Sequence, residues 1–301
     1  MNPLLLTGLD GSNPLAFLAA LGTLRTATNI WRDHNIKMAW KPLHGAWRAV
    51  LIDVPEEDSL SAKLADFLKR ASPEPFELSR KFPFEAALFR EQAASAQQKA
   101  AEFDHIVADF IAAYGCEALM EENGNFVETA FRMLRSADSG GSGMLAYAKK
   151  LAQTTTASEI ERSLFSPWGY ADAPPSLRWD PVDDRRYALR WDNPSTDVIR
   201  TERGANRLAI EALPMFPTSP VNGNLVTTGF TGISSRDTFL SWPIWTEPVS
   251  LNVLRSVLAL AELQQAQPDR HVLLSRGIVE IYRSQRITVG KFRNFTPAQP
   301  A

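Results

Sequence analysis

Apolar positions in "DGSNPLAFLAALGTLRTATNIW" (10–31) recur at helical spacing. Leu15, Leu18 and Leu21 form one stripe, and Phe17, Leu21, Leu24 and Trp31 form the adjacent one. Ala16, Ala19, Ala20 and Gly22 keep a further face thin, so a second element can approach closely. Asn13 is placed to cap this helix. Pro14 suits its first position, where a missing N–H costs nothing. The pattern predicts a helix buried on most sides.

Beyond it, "KMAWKPLHGAWRAVLIDV" predicts two short strands with a turn near Pro42 and Gly45. Residues 59–136 read as mostly helical, with Leu60, Leu64, Phe67 and Leu68 on one stripe. A second stripe holds Phe103, Val107, Phe110, Ile111 and Tyr114. The proline-punctuated stretch 72–85 interrupts them as irregular chain. "SADSGGSGML" (136–145) is flexible punctuation; helices over about 143–153 and 157–165 follow, the second with Ser158 and Glu161 as a capping box.

"GANRLAIEAL" is helical until Pro214 stops it. "NLVTTGF" and "DTFLSWPIW" read as strands, the proline making the second an edge strand or a bend. A helix begins near Ser250 and carries Val253, Leu254, Val257, Leu258 and Ala261, and "IVEIYRSQRITVGKF" closes the chain as a hairpin. The expected fold is α+β, with a helix-rich N-terminal half and a C-terminal half that contains β-hairpins. The division falls at 1–138 and 139–301, with a single compact domain as the alternative.

Arg-Trp-Asp occurs twice, in "LRWDPVDDRRYALRWDNPS" (177–195). Alternation puts Leu177 with Trp179 on one strand face, and Tyr187, Leu189 and Trp191 on one face of the next. Arg178, Arg186 and Arg190 fall on the opposite faces, and "DPVDD" fits the connecting turn. Three readings follow. The hairpin packs through its aromatics with its arginines paired to nearby aspartates; or its arginines meet a nucleic-acid backbone; or Asp180, Asp183 and Asp184 hold a metal for a nuclease.

The chain of 301 residues is 45% hydrophobic, and 32 basic against 34 acidic residues leave a net charge of −2. Such a balance gives no global attraction to nucleic acid, so a polyanion site must be a local patch. The best local candidate is the tail, where Arg283, Arg286, Lys291 and Arg293 are interleaved with Tyr282, Phe292 and Phe295. A solvated basic hairpin has the same composition. The single Cys116 excludes an internal disulfide, and the four histidines form no zincin spacing. There is no Gly-x-Ser-x-Gly elbow and no Gly-Lys-Ser/Thr loop. No cofactor, resident metal or catalytic residue is expected. "PLAFLAALGTL" is shorter than the roughly 20 residues a bilayer needs and has no basic start, so a soluble cytoplasmic protein with no membrane partner is expected.

Four stretches together carry a resemblance: "GLDGSNPLAFLAALGTLR", "WDPVDDRRYALRWDNPS", "GANRLAIEALPMFP" and "TTGF…FLSWPIW". They resemble accessory proteins of type I-G (formerly I-U) CRISPR loci, which match an extension on some helicase-nuclease proteins there. The opening is more distantly similar to that system's large subunit. The resemblance implies prokaryotic antiviral defence. Its implied partner is the guide-RNA effector complex or the helicase-nuclease, with guide RNA or target DNA as a further contact. It supplies no catalytic residues, and helicase and nuclease motifs are absent. A non-catalytic subunit is expected; a metal-dependent nuclease and a purely protein-binding scaffold are the alternatives.

Overall fold

A helix of small and apolar residues can be enclosed completely, and α1 (Pro14–Ile30) is. In the computed structural model every residue from Pro14 to Ala27 is buried. Asn13 Oδ1 accepts from Ala16 N at 3.1 Å, so the predicted cap is formed. The structure describes residues 3–55, 57–101, 105–134, 143–184, 200–232, 237–289 and 292–301.

On one side of α1 lies a sheet of β1 (Leu4–Asp10), β2 (Lys37–Leu43), β3 (Ala46–Ile52) and β10 (Val249–Ser250), in the order β1-β3-β2-β10. β2 and β3 form the expected hairpin, but its turn is His44–Gly45, both at positive φ, and Pro42 sits inside the strand. β1 was not anticipated. Its register breaks between Leu6 and Asp10, which hides the period-2 alternation that marks a strand.

The second sheet runs β12-β11-β9-β8, from β8 (Phe230–Thr231), β9 (Phe239–Trp245), β11 (Ile278–Val289) and β12 (Phe292–Phe295), with β13 (Gln299–Pro300) also paired to β11. The tail does pair back on itself, but the stretch expected as a hairpin is almost wholly one strand, and the returning strand starts at Phe292. β9 is not an edge strand over its whole length: β11 pairs it along one side, and β8 pairs only Phe239 and Leu240 on the other. Pro243 stands beyond that short pairing, where no second ladder needs its N–H.

Aromatic residues join the two sheets to α1. The Phe17 ring lies 6.0 Å from Trp40 and 5.7 Å from Trp242. Trp242 Nε1 donates to Gly11 O, and Trp245 Nε1 donates to Met38 O, each at 2.8 Å. Trp242 and Trp245 thus find the acceptors that burial of an indole N–H demands, whereas Trp40 Nε1 has no hydrogen-bond partner among the described residues.

The other side of α1 meets α7 (Arg203–Ile210), the "GANRLAI" helix. A Cβ on Gly22 would lie 1.8 Å from Leu208 O, so the two backbones touch at a position only glycine can occupy. α6 (Ala157–Phe165) packs on α7, on β1 and on α2 (Leu60–Arg70). The capping box of α6 is Thr156 with Glu159, two residues before the expected pair. α5 (Met144–Thr154) precedes it. Buried charge is concentrated beneath this layer: Glu211 accepts from Arg25 Nη1 at 2.7 Å and from Arg207 Nη1 at 2.8 Å.

α3 (Ala86–Ala101) and α4 (Ile106–Tyr114) fulfil part of the helical expectation for 59–136. Residues 115–128 do not: they form the hairpin of β4 (Gly115–Met120) and β5 (Phe126–Glu128), turned at Asn123–Gly124. An Asn-Gly pair is a hairpin signal that the helical stripe ahead of it obscured. β6 (Thr218–Val221) and β7 (Asn224–Thr227) form another hairpin. The helix at Ser250 is α8 (Leu251–Leu258); it ends earlier than expected, so Ala261 falls in a following 3-10 turn. α9 (Arg270–Ser275) precedes β11. One apolar core crosses the expected boundary at 138–139, with Leu6, Phe17 and Trp40 in the same cluster as Leu208, Leu240 and Trp242. Among the described residues no helix is long and apolar enough to cross a membrane.

Candidate functional site

The first Arg-Trp-Asp does not lie on a strand. Arg178 has a φ of 63°, a left-handed conformation that breaks the extended chain. Leu177 and Trp179 are buried as expected, and Trp179 Nε1 donates to Phe131 O at 2.9 Å. Arg178, however, also turns inward. Its Nε donates to Asn294 Oδ1 at 2.9 Å and its Nη2 to Asp183 O at 2.8 Å. The predicted hairpin is thus corrected in its first half. Arg186, Arg190 and the rest of the second half lie outside the described residues, as does most of the 136–145 punctuation.

The three aspartates are built into the same segment. Asp180 caps a short 3-10 turn, Pro181–Asp183, its Oδ1 accepting from Val182 N at 3.0 Å. Its Oδ1 also accepts from Asn13 Nδ2, and its Oδ2 from the Tyr170 hydroxyl, both at 3.2 Å. Asp183 Oδ2 accepts from Ser176 Oγ at 2.6 Å. Asp184 is buried and also has a partner. Among the described residues, no three His, Cys, Asp or Glu side chains are grouped as a metal ion requires.

Lys291 lies outside the described residues. The other tail cations face inward rather than forming an exposed patch. Arg283 Nε donates to Ser241 Oγ at 2.9 Å, and its Nη2 donates to Gln265 O at 2.6 Å. Burial lowers its pKa from the usual guanidinium value. Arg286 is 8% exposed and its Nη1 donates to Ala130 O at 2.7 Å. Arg293 Nη1 donates to Arg132 O at 3.1 Å and lies 3.4 Å from Glu128 Oε1. Arg286 and Arg293 border a cavity of about 390 Å³ beside β5 and β7, where Glu121 and Glu128 balance their charge.

A second cavity, of about 440 Å³, opens where the two Asp-containing motifs meet. β1 delivers Asp10 to its rim, and the following turn delivers Ser12 and Asn13. Asp10 Oδ1 accepts from Ser12 N at 2.9 Å and from Ser12 Oγ at 2.8 Å, which fixes the turn into α1. The Asn13–Asp180 bond then ties that turn to the "WDP" segment. Trp168 and Tyr170 form the opposite wall, their rings edge to face at 6.2 Å. Tyr170 holds a φ of 49° while its N–H donates to Glu202 Oε1 at 2.7 Å.

Burial first, then the neighbouring Asp180, pushes the Tyr170 hydroxyl far up, so it remains a donor at any physiological pH. Burial also raises Asp180, opposed by the hydrogen bonds from Val182, Asn13 and Tyr170. Arg48, from β3, completes the polar rim. The arrangement offers flat apolar walls, one cation and one accessible carboxylate. It suits binding. Of its residues, sequence reasoning singled out Asn13 as a cap and Asp180 as a candidate ligand. Asp10, Arg48, Trp168 and Tyr170 drew no functional reading. Comparison of the chain with protein-family models and with curated proteins gives no match.

Proposed function

We propose that this chain is a non-catalytic subunit of a prokaryotic CRISPR antiviral defence system, contacting its guide-RNA effector complex, its helicase-nuclease or nucleic acid. The observation that supports the reading is how the four resembling stretches meet. The first touches the second through Asn13 and Asp180. It touches the third where Gly22 abuts Leu208, and the fourth where Trp242 donates to Gly11 O. Stretches dispersed from residue 8 to 245 therefore form one packed unit around α1. A resemblance carried by mutually contacting segments is what a shared fold produces; scattered coincidences have no reason to touch.

The non-catalytic part rests on the Asp180, Asp183 and Asp184 carboxyls, each buried and with partners inside the protein. The tagged chain, produced together with type I-G effector subunits and helicase-nuclease, is expected to co-purify with one of them. Deleting its gene is expected to lower interference against an invading plasmid. The purified chain with Mg²⁺ or Mn²⁺ is expected to leave single- and double-stranded DNA and RNA intact. No co-purification together with undiminished interference would reject the defence role. Cleavage that Asp180→Ala or Asp184→Ala abolishes would make the chain a nuclease.

A further inference from the structure

Among the described residues, Arg48 is a cation on a cavity wall that the fold leaves open. It lines the cavity of about 440 Å³ and is half-buried. It makes no hydrogen bond or ion pair among the described residues, while Arg178, Arg207, Arg283 and Arg286 all have internal partners. Its strand partner across β1 is Asp10, yet no ion pair joins them. Asp10 is held by Ser12 through Oδ1 alone, and its Oδ2 has no partner among the described residues. A guanidinium and a carboxylate oxygen therefore face one cleft with their recognition capacity unused.

The opposite wall is shaped for a ring. Trp168 Nε1 donates to Ser163 O at 3.0 Å, so the indole that lines the cleft has its N–H committed inside the protein. Tyr170 is likewise committed through its hydroxyl to Asp180. Pro167, Pro181 and Pro297 extend the flat apolar lining. The N-terminal turn of α1, the positive end of its dipole, opens on the same space. The volume falls within the range of about 300–1,000 Å³ typical of small-ligand pockets.

From this set we infer that the cleft takes one nucleotide unit of a single-stranded nucleic acid. The base stacks on Trp168, the phosphate meets the Arg48 guanidinium, and the free Asp10 oxygen accepts from a base amino group or a sugar hydroxyl. A bidentate guanidinium–phosphate contact and an aromatic face are the two elements that sequence-tolerant single-strand sites combine. The inference rests on the nucleic-acid arm of the proposed function and gives it a location away from the tail arginines.

The test is fluorescence anisotropy of labelled oligonucleotides, RNA and DNA of one sequence, titrated with the full chain at several salt concentrations. Arg48→Gln is expected to weaken binding about tenfold or more and to reduce the salt slope by about one phosphate's share. Trp168→Ala is expected to weaken it about 5- to 150-fold, and Trp168→Phe, which keeps a ring, by less. Exposed Lys69→Gln, on α2 and outside the cleft lining, serves as the control and is expected to be silent. Thermal unfolding of each variant separates lost binding from lost folding; if Trp168→Ala is unfolded, Arg48→Gln and Trp168→Phe decide.

Absence of oligonucleotide binding by the wild-type chain overturns the inference, and so does binding unchanged in Arg48→Gln and Trp168→Ala. A nucleoside monophosphate that matches the oligonucleotide's affinity overturns the strand assignment in favour of a free nucleotide. Variants that abolish co-purification with effector proteins when wild type binds no oligonucleotide overturn it in favour of a protein segment. The two proposals fail separately. Arg48-dependent oligonucleotide binding with no effector association and undiminished interference sinks only the defence reading. Effector association with no oligonucleotide binding sinks only this one.

Discussion

Replacing Gly22 with alanine adds one carbon at the α1–α7 crossing, and the sign of its effect tests the packing. The added Cβ would lie 1.8 Å from Leu208 O, 2.7 Å from Leu208 C and 3.3 Å from Ala212 N. Ordinary contact begins at 3.4 Å, so the helices must part by roughly 1.6 Å. The obstacle is a backbone carbonyl, and no rotamer change relieves it. Overpacking of this kind costs about 1–3 kcal/mol or more, and a backbone clash belongs at the top of that range, near 4 kcal/mol. In an isolated helix alanine would instead stabilise by about 1 kcal/mol. The expected net loss is therefore about 3 kcal/mol. With an unfolding entropy of about 2.1 cal/mol/K per residue over 301 residues, that lowers Tm by about 5 °C. Urea unfolding and calorimetry of Gly22→Ala measure both quantities. Gly169→Ala is the control, since a Cβ there meets nothing within 4 Å and is expected to be neutral. A Gly22→Ala protein as stable as wild type, or more stable, refutes the close crossing.

Glu211→Gln removes the charge that Arg25 and Arg207 share in the core, and is expected to cost about 3–5 kcal/mol in urea unfolding; a change within 1 kcal/mol would mean that solvent reaches this site. Asp180 has its pKa raised by burial, so its protonated form is the one the fold favours, and its contribution to stability is lost as pH rises from the unfolded value of 3.8 through the higher folded one. Asp180→Asn escapes that loss: its Tm relative to wild type should climb as pH rises from about 4 to 7, and a pH-independent difference would contradict it. Arg286→Glu is expected to destabilise the protein by about 3 kcal/mol or more, because it replaces a buried donor to Ala130 O with a buried acid. Wild-type thermal stability in that variant would restore the tail to the surface.

What the sequence revealed and what it hid differ in range. α1 is governed by a period of 3.6 within one segment and stands where the pattern put it, whereas the tail stretch expected as a hairpin is one long strand, β11, whose partner β12 begins only at that stretch's last residue. The capping box of α6 shows local information running out: Thr156 with Glu159 and Ser158 with Glu161 have identical spacing, and only packing on α7 and β1 selects the first. The "RWD" stretch goes further. Alternation correctly buried Leu177 and Trp179, but a residue at positive φ between them reaches the same burial without a strand.

Charge was the least legible property, for a physical reason. The tail arginines looked available because the sequence around them holds few acids. Yet Arg286 donates to a carbonyl 156 positions away, and Arg293 approaches an acid 165 positions away. A carbonyl acceptor leaves no mark on composition, since every residue carries one. Arg48 is the inverse case. Its strand neighbour Asp10 should have paired with it, but Ser12 draws one Asp10 oxygen into the turn that starts α1. The same local bond that fixes the turn into the core helix thus keeps a cation and an acceptor apart on the rim of a cleft. If that cleft binds a nucleotide, Ser12→Ala should loosen the Asp10 carboxylate, leaving its Oδ1 only the residue-12 N–H, so that it competes for Arg48. The outcome would be weaker oligonucleotide binding at nearly unchanged stability, because a half-buried hydroxyl contributes only about 1 kcal/mol. Full-strength binding by Ser12→Ala would show that the turn does not hold Asp10 away from Arg48.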